Sequence, residues 1–127
     1  MGISCLDWSP LEDNLLAIVT KETNRLEIWQ VAKGQLVTIL SLRGKINYIK
    51  WSLHESNCLY AQEKNSDSIW TINYKTEQQK LFCIDTSISP LGASTHVRAF
   101  TEHPSLPNHL LIGSNRAMIN LYDIRED

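Results

Sequence analysis

The sequence predicts an all-β protein built of repeated four-stranded antiparallel units. Two observations carry this. Short runs rich in Val, Ile, Leu, Tyr and Trp alternate with clusters of Asn, Asp, Ser, Gly and Lys, and an aromatic pattern recurs about every 40 residues.

The first unit can be read in order. Ile3 to Trp8 is a strand, and Ser9-Pro10 ends it with a turn. Asn14 to Thr20 is a nearly continuous apolar run, which predicts a strand buried on both faces. Lys21-Glu22-Thr23-Asn24 makes a polar hairpin tip. Arg25 to Val31 then alternates, with Leu26, Ile28 and Gln30 on one side and Trp29 on the other. Lys33-Gly34 turns the chain into a fourth strand, Gln35 to Ser41.

The unit then recurs. Ile46 to Ser52 copies the first strand, with Trp51 in the place of Trp8. Asn57 to Gln62 copies the second, Ser68 to Tyr74 the third with Trp70 in the place of Trp29, and Lys80 to Ile84 the fourth. A third copy opens at His96 to Phe100, turns at Glu102-His103-Pro104, and continues through Leu110 to Gly113 and Met118 to Ile124, with no fourth strand. Trp8 to Trp51 is 43 residues and Trp29 to Trp70 is 41. Trp51 to Phe100 is 49, because residues 85–95 are longer than their counterpart. The first aromatic precedes the third-strand aromatic by 21, 19 and 22 residues. A four-stranded repeat of about 40 to 45 residues is the period of a β-propeller blade.

At this point the chain resembles the WD-repeat family over almost its whole length. The first-strand carriers are Leu6-Asp7-Trp8-Ser9-Pro10, Ile49-Lys50-Trp51-Ser52 and Ala99-Phe100-Thr101-Glu102-His103-Pro104. The third-strand carriers are Leu26-Glu27-Ile28-Trp29-Gln30, Ser68-Ile69-Trp70-Thr71 and Asn120-Leu121-Tyr122-Asp123. No position has Trp and Asp together: two copies keep Trp with Gln30 and Thr71, and the third has Tyr122-Asp123. The family's Gly-His pair is also missing, with Arg43-Gly44 nearest to it. In members with complete motifs, a buried His, a turn Asp, a Ser or Thr and the Trp share hydrogen bonds. Here only Asn24, Asp67 and Asn115 stand in the turns, so each blade is expected to rest mainly on apolar packing against its neighbours.

The resemblance implies a WD-repeat-like β-propeller segment, one partial domain over residues 1–127. Blade 1 is expected at about residues 3–41, blade 2 at 45–84, a connector at 85–95, and three strands of blade 3 at 96–124. A closed propeller needs four to eight blades. The chain is therefore expected to be a piece of a longer protein, with a truncated isoform or a ring completed by another chain as alternatives. Two uncovered sheet faces follow, and with them self-association.

Composition agrees with a folded domain. A 43% hydrophobic content excludes disorder, and a formal net charge of −2 does not favour nucleic acid. No run approaches the roughly 18 apolar residues of a membrane span. The start lacks a signal peptide's basic region and apolar core. Gly2 resembles a myristoylation start, but Leu6 stands where that motif wants Ser or Thr. Cys5, Cys58 and Cys83 form an odd set without a Cys-x-x-Cys pair, and no Asn-x-Ser/Thr sequon occurs. An intracellular site, cytoplasmic or nuclear, is expected.

Catalytic chemistry is not indicated. His103 and His109 are six apart across a Pro-containing turn, unlike a helical metal pair, and His54 and His96 read as turn and strand-start residues. His54 is four residues from Cys58, yet nothing completes a nucleophile, base and orienting group. Cys58 and Cys83 are expected as buried thiols inside apolar strands. The five glycines are scattered, so no phosphate loop is present. Glu12 and Asp13 read as solvated turn carboxylates. Trp8, Trp29, Trp51 and Trp70 are assigned to core or inter-blade packing rather than to base stacking. No metal, no cofactor and no catalytic residue is predicted.

What remains are loops. The turn between blades lies on the same rim as the second-to-third-strand turn. That rim carries Arg43, Lys45, Lys64 and Asn65, with His96 and Arg98 close by and Ser87 to Ser94 in the connector. These cations on an acidic chain predict a protein partner bearing carboxylates or phosphate. The expected function is a non-catalytic protein–protein interaction scaffold within a larger multiprotein assembly. The alternatives are an RNA-binding propeller module or a non-catalytic part of a larger enzyme complex.

Overall fold

The computed structural model describes residues 2–83, 96–115 and 119–124. Ile84, the 85–95 connector and Met118, assigned above from the sequence, lie outside the described residues. Among these described residues, eleven strands form three antiparallel sheets. β1 (Ile3–Trp8), β2 (Leu15–Thr20), β3 (Arg25–Gln30) and β4 (Gln35–Ser41) make blade 1, with a 3-10 turn at Val31–Lys33. β5 (Ile46–Trp51), β6 (Cys58–Glu63), β7 (Ser68–Asn73) and β8 (Gln78–Cys83) make blade 2. β9 (Val97–Glu102), β10 (His109–Ser114) and β11 (Ile119–Asp123) make blade 3.

Two cores form between the sheets. Leu15, Ala17, Val19, Leu26 and Ile28 of blade 1 pack on Ile49, Trp51, Leu59 and Ile72 of blade 2. Tyr60 and Ile69, on the other face of blade 2, pack on Phe100, Leu110 and Ile112 of blade 3. Phe100 sits edge-on to both Tyr48 and Tyr60, at centroid distances of 5.6 and 6.3 Å. Strand alternation explains this: one set of side chains from blade 2 faces blade 1 and the other faces blade 3.

Alternation also corrects the reading of β2. Leu15, Ala17 and Val19 are buried, whereas Leu16 and Ile18 are half-buried. Their face has no sheet packed on it among the described residues.

Nine backbone hydrogen bonds recur at equivalent points and fix the true repeat alignment. Lys21, Lys64 and Asn115 donate to the carbonyls of Gly2, Lys45 and His96. Ser9, Ser52 and His103 donate to Leu15, Cys58 and His109, and Val31, Tyr74 and Ile124 donate to Asn14, Asn57 and Asn108. On this frame Trp8 and Trp51 are equivalent, as expected, but their third counterpart is Glu102, and Phe100 aligns with Leu6 and Ile49. Likewise Trp29 aligns with Ile72 and Tyr122, while Trp70 stands two positions earlier, level with Glu27 and Asn120. The sequence reading slipped by two residues in each case. A slip of two keeps a side chain on the same face, so alternation gives no warning of it.

Polar ties supplement the apolar packing more than the degenerate motifs suggest. The backbone N–H of Trp51 donates to Asp7 Oδ2 at 2.9 Å, and its indole Nε1 donates to Asp7 O at 2.8 Å. At the next junction Glu102, 2% exposed, accepts from Tyr60 OH (2.8 Å), Leu53 N (2.6 Å), Ser52 Oγ and Asn108 N. His54 Nε2 donates to His103 O at 2.8 Å across the same junction.

Candidate interaction rim

The crossover from β4 to β5 is held on three sides. Asn24, at φ 53°, donates from Nδ2 to the carbonyls of Leu42 and Gly44 and accepts from Ile46 N. Asn tolerates this left-handed backbone because its short side chain bonds locally. From the blade's outermost strand, Gln79 accepts from Arg43 N at 3.2 Å and donates to Ser41 O at 2.9 Å. From above, Trp70 Nε1 donates to Glu63 Oε1 at 2.7 Å, and this pair closes over Gly44. A Cβ there would meet the Glu63 carboxylate and stand 2.6 Å from Trp70 Nε1, so any larger residue would have to push this pair aside.

This backbone presents the expected residues. Arg43, Lys45, Lys64, Asn65 and Arg98 are exposed, and His96 is half-buried. Lys45 and Lys64 are brought side by side, since Lys64 N donates to Lys45 O at 2.8 Å. Val97 N donates to Ser66 O at 2.8 Å, which seats the start of β9 with His96 and Arg98 against the Lys64–Ser66 turn. Asn65 occupies that turn at φ 52°. His96 N donates to Asn115 Oδ1 at 2.8 Å, so its backbone belongs to the β10–β11 turn as well. Arg43 sits apart from this group, toward β8. Ser87 to Ser94 lie outside the described residues.

Sequence reasoning missed Lys21, an exposed residue that is the repeat equivalent of Lys64 and lies on the same rim. The signal was its place in the second-to-third-strand turn of the first unit, the kind of turn that carries Lys64 in the second. The opposite rim differs in character, with Glu12, Asp13, Glu55 and Glu77 exposed alongside Lys33 and Lys75. Its turns are capped in a repeated way. Ser9 Oγ and Ser52 Oγ each accept two turn N–H groups, and in blade 3 His103 Nδ1 accepts those of Ser105 and Leu106. His103 is thus a turn cap in the position of a serine.

The remaining residues singled out from sequence resolve as follows. Trp51 is 1% exposed, Trp29 and Trp70 are half-buried and tied to Glu27 and Glu63, but Trp8 is 52% exposed and corrects the packing assignment. Its face meets no neighbouring sheet among the described residues. Cys83 is exposed and Cys58 half-buried, against the expectation of buried thiols, because both sit at strand ends rather than mid-strand. Among the described residues, no group of three His, Cys, Asp or Glu could hold a metal, and no helix is long and apolar enough to cross a membrane.

No protein-family model and no curated protein matches the chain. Solved structures do. A chain in the crystal structure of the mitotic checkpoint complex matches with a TM-score of 0.68 at 15% identity, over 98% of this chain and 36% of that one. The Cps50 (Swd1) β-propeller domain of Myceliophteria thermophila matches with a TM-score of 0.74 at 16% identity, over 97% of this chain and 39% of that one. The chain thus spans little more than a third of the chains it resembles.

Proposed function

We propose that this chain, which has the fold of a WD-repeat β-propeller segment, acts as a non-catalytic protein-interaction scaffold within a larger multiprotein assembly. Its basic rim takes a partner segment bearing carboxylates or phosphate. The observation that carries the reading is the Lys45–Lys64 pair, two exposed cations on backbones hydrogen-bonded to each other. The crossover beneath them is held by Asn24 and Gly44, so little loop entropy is lost on binding. Charge complementarity of this kind sets partner choice and association rate.

The RNA-binding alternative is disfavoured by the aromatics. Trp51 is buried and Trp29 and Trp70 are half-buried with their indole N–H groups engaged by carboxylates, which leaves Trp8 as the one exposed tryptophan rather than a row of stacking rings. Three free cysteines support an intracellular setting, cytoplasmic or nuclear.

The test is fluorescence anisotropy with labelled acidic, phosphorylated and neutral peptides, and with a single-stranded RNA oligonucleotide. The acidic or phosphorylated peptides should bind, and the Arg43→Ala/Lys45→Ala double variant should bind them roughly tenfold more weakly. Equal binding by the variant, or a preference for RNA with steep salt dependence, overturns the proposal.

A further inference from the structure

Among the described residues, each of the two outer sheets has one face with no sheet packed on it, and the repeat itself says what fits there. On blade 1 the outward face carries Leu6 and Trp8, 50% and 52% exposed, beside half-buried Leu16, Ile18 and Trp29. On blade 3 it carries Ala99, Thr101, Leu111, Ile119 and Leu121, all exposed, Ile119 at 70%. Neither is an arbitrary apolar patch. Leu6, Trp8, Leu16 and Ile18 are the repeat equivalents of Ile49, Trp51, Leu59 and Ala61, the blade 2 face that seats on blade 1. Ala99, Thr101, Leu111, Ile119 and Leu121 are the equivalents of Cys5, Asp7, Ala17, Leu26 and Ile28, the blade 1 face that receives it. The two free faces are therefore matched to each other by the same rule that joins blades 1 and 2.

We propose that a second copy of this chain docks head to tail, with blade 1 of one copy seated on blade 3 of the other. The Trp8 indole N–H then donates to the Thr101 carbonyl, as Trp51 donates to Asp7 O within the chain. Glu27 lies on the same face, level with Trp70 of blade 2, and its carboxylate accepts from Trp29 Nε1 at 2.9 Å. Such an interface uses different patches on the two copies, so it propagates until the ring closes. The proposal does not rest on the basic rim.

Light scattering and sedimentation of the full chain over a dilution series test it. The wild type should be larger than a monomer, and Trp8→Asp and Leu121→Asp should each be monomeric, with circular dichroism of a folded β protein. Mixed in equal amounts, the two variants should recombine into a one-to-one dimer, since each keeps one intact face. Leu6→Lys and Ile119→Lys form a second pair should either first variant fail to fold. A monomeric wild type, oligomers that survive both substitutions, or a mixture that stays monomeric overturns the proposal. The faces would then belong to blades of another polypeptide, or association would run through other surfaces. Arg43→Ala/Lys45→Ala should keep the wild-type mass, so this idea and the rim reading fail separately.

Discussion

Trp51 bonds Asp7 twice across the junction of the first two blades, through its backbone N–H to the carboxylate and through its indole to the backbone carbonyl. One residue thus ties two sheets by both its main chain and its side chain. Asp7→Ala leaves the Trp51 amide without its acceptor. Since Asp7 is only half-buried, the expected loss is about 1–2 kcal/mol, read as a lower urea midpoint. Trp51→Phe removes the indole donor and should cost a similar amount, with partial non-additivity in the double variant.

Glu102 occupies, in blade 3, the repeat position that Trp51 fills in blade 2, and it draws donors from three segments. Removing the carboxylate orphans the Tyr60 hydroxyl and the Leu53 and Asn108 amides. Glu102→Ala should therefore destabilise the chain by about 3 kcal/mol or more, and Glu102→Gln by less. Thermal melts of the two variants check the order.

Gly44 lies under the Glu63–Trp70 pair, which a Cβ would have to displace. Gly44→Ala should cost about 1–3 kcal/mol by overpacking. The displaced Trp70 should report it as a changed tryptophan emission in the folded state, and Glu63→Gln should shift that emission without comparable destabilisation.

Much of this was legible beforehand, and the failures have a common physical cause. Alternating runs such as Arg25 to Gln30 marked the strands, because burial on one face writes a period of two into the sequence. The same period hid the slip that set Trp70 against Trp29, for both registers point the ring to the same side. Glu102 was read as a turn residue, since a local pattern cannot show that a distant Tyr60 and Ser52 will satisfy a buried carboxylate. Asn24 was placed in its turn correctly, yet its grip on Leu42 and Gly44 spans some 20 residues and leaves no local trace. Of the rim, the charges were readable and the adjacency of Lys45 and Lys64 followed from the blade topology. Lys21 was overlooked, although the second-to-third-strand turn that holds it had been placed on that rim.

Burial pushes the Cys5 thiol up to about 11 and, with Glu55 adding to the effect, the Cys58 thiol up to about 12. Burial also raises the Tyr60 hydroxyl above its ordinary 10.0, with the bond to Glu102 adding to it. Groups raised in the folded state hold their protons more tightly there, so their stabilisation is complete below the unfolded values and is lost as pH climbs past them. The urea midpoint should stay flat up to about pH 9 and fall above it, and Cys58→Ser should flatten the first part of that fall. With a thiol reagent near pH 8, exposed Cys83 should label first, and Cys5 and Cys58 much later.

The most direct test of the blade arrangement is residue-resolved amide hydrogen exchange. Trp51 N–H and Val97 N–H bond across blade junctions, to Asp7 Oδ2 and Ser66 O, rather than within their own sheets. If the sheets pack as successive propeller blades, these two amides should exchange as slowly as interior strand amides such as those of β6 and β7. Exchange as fast as that of the exposed turn amides of Leu11 and Lys75 would mean that the junctions do not form, and would contradict the propeller segment itself.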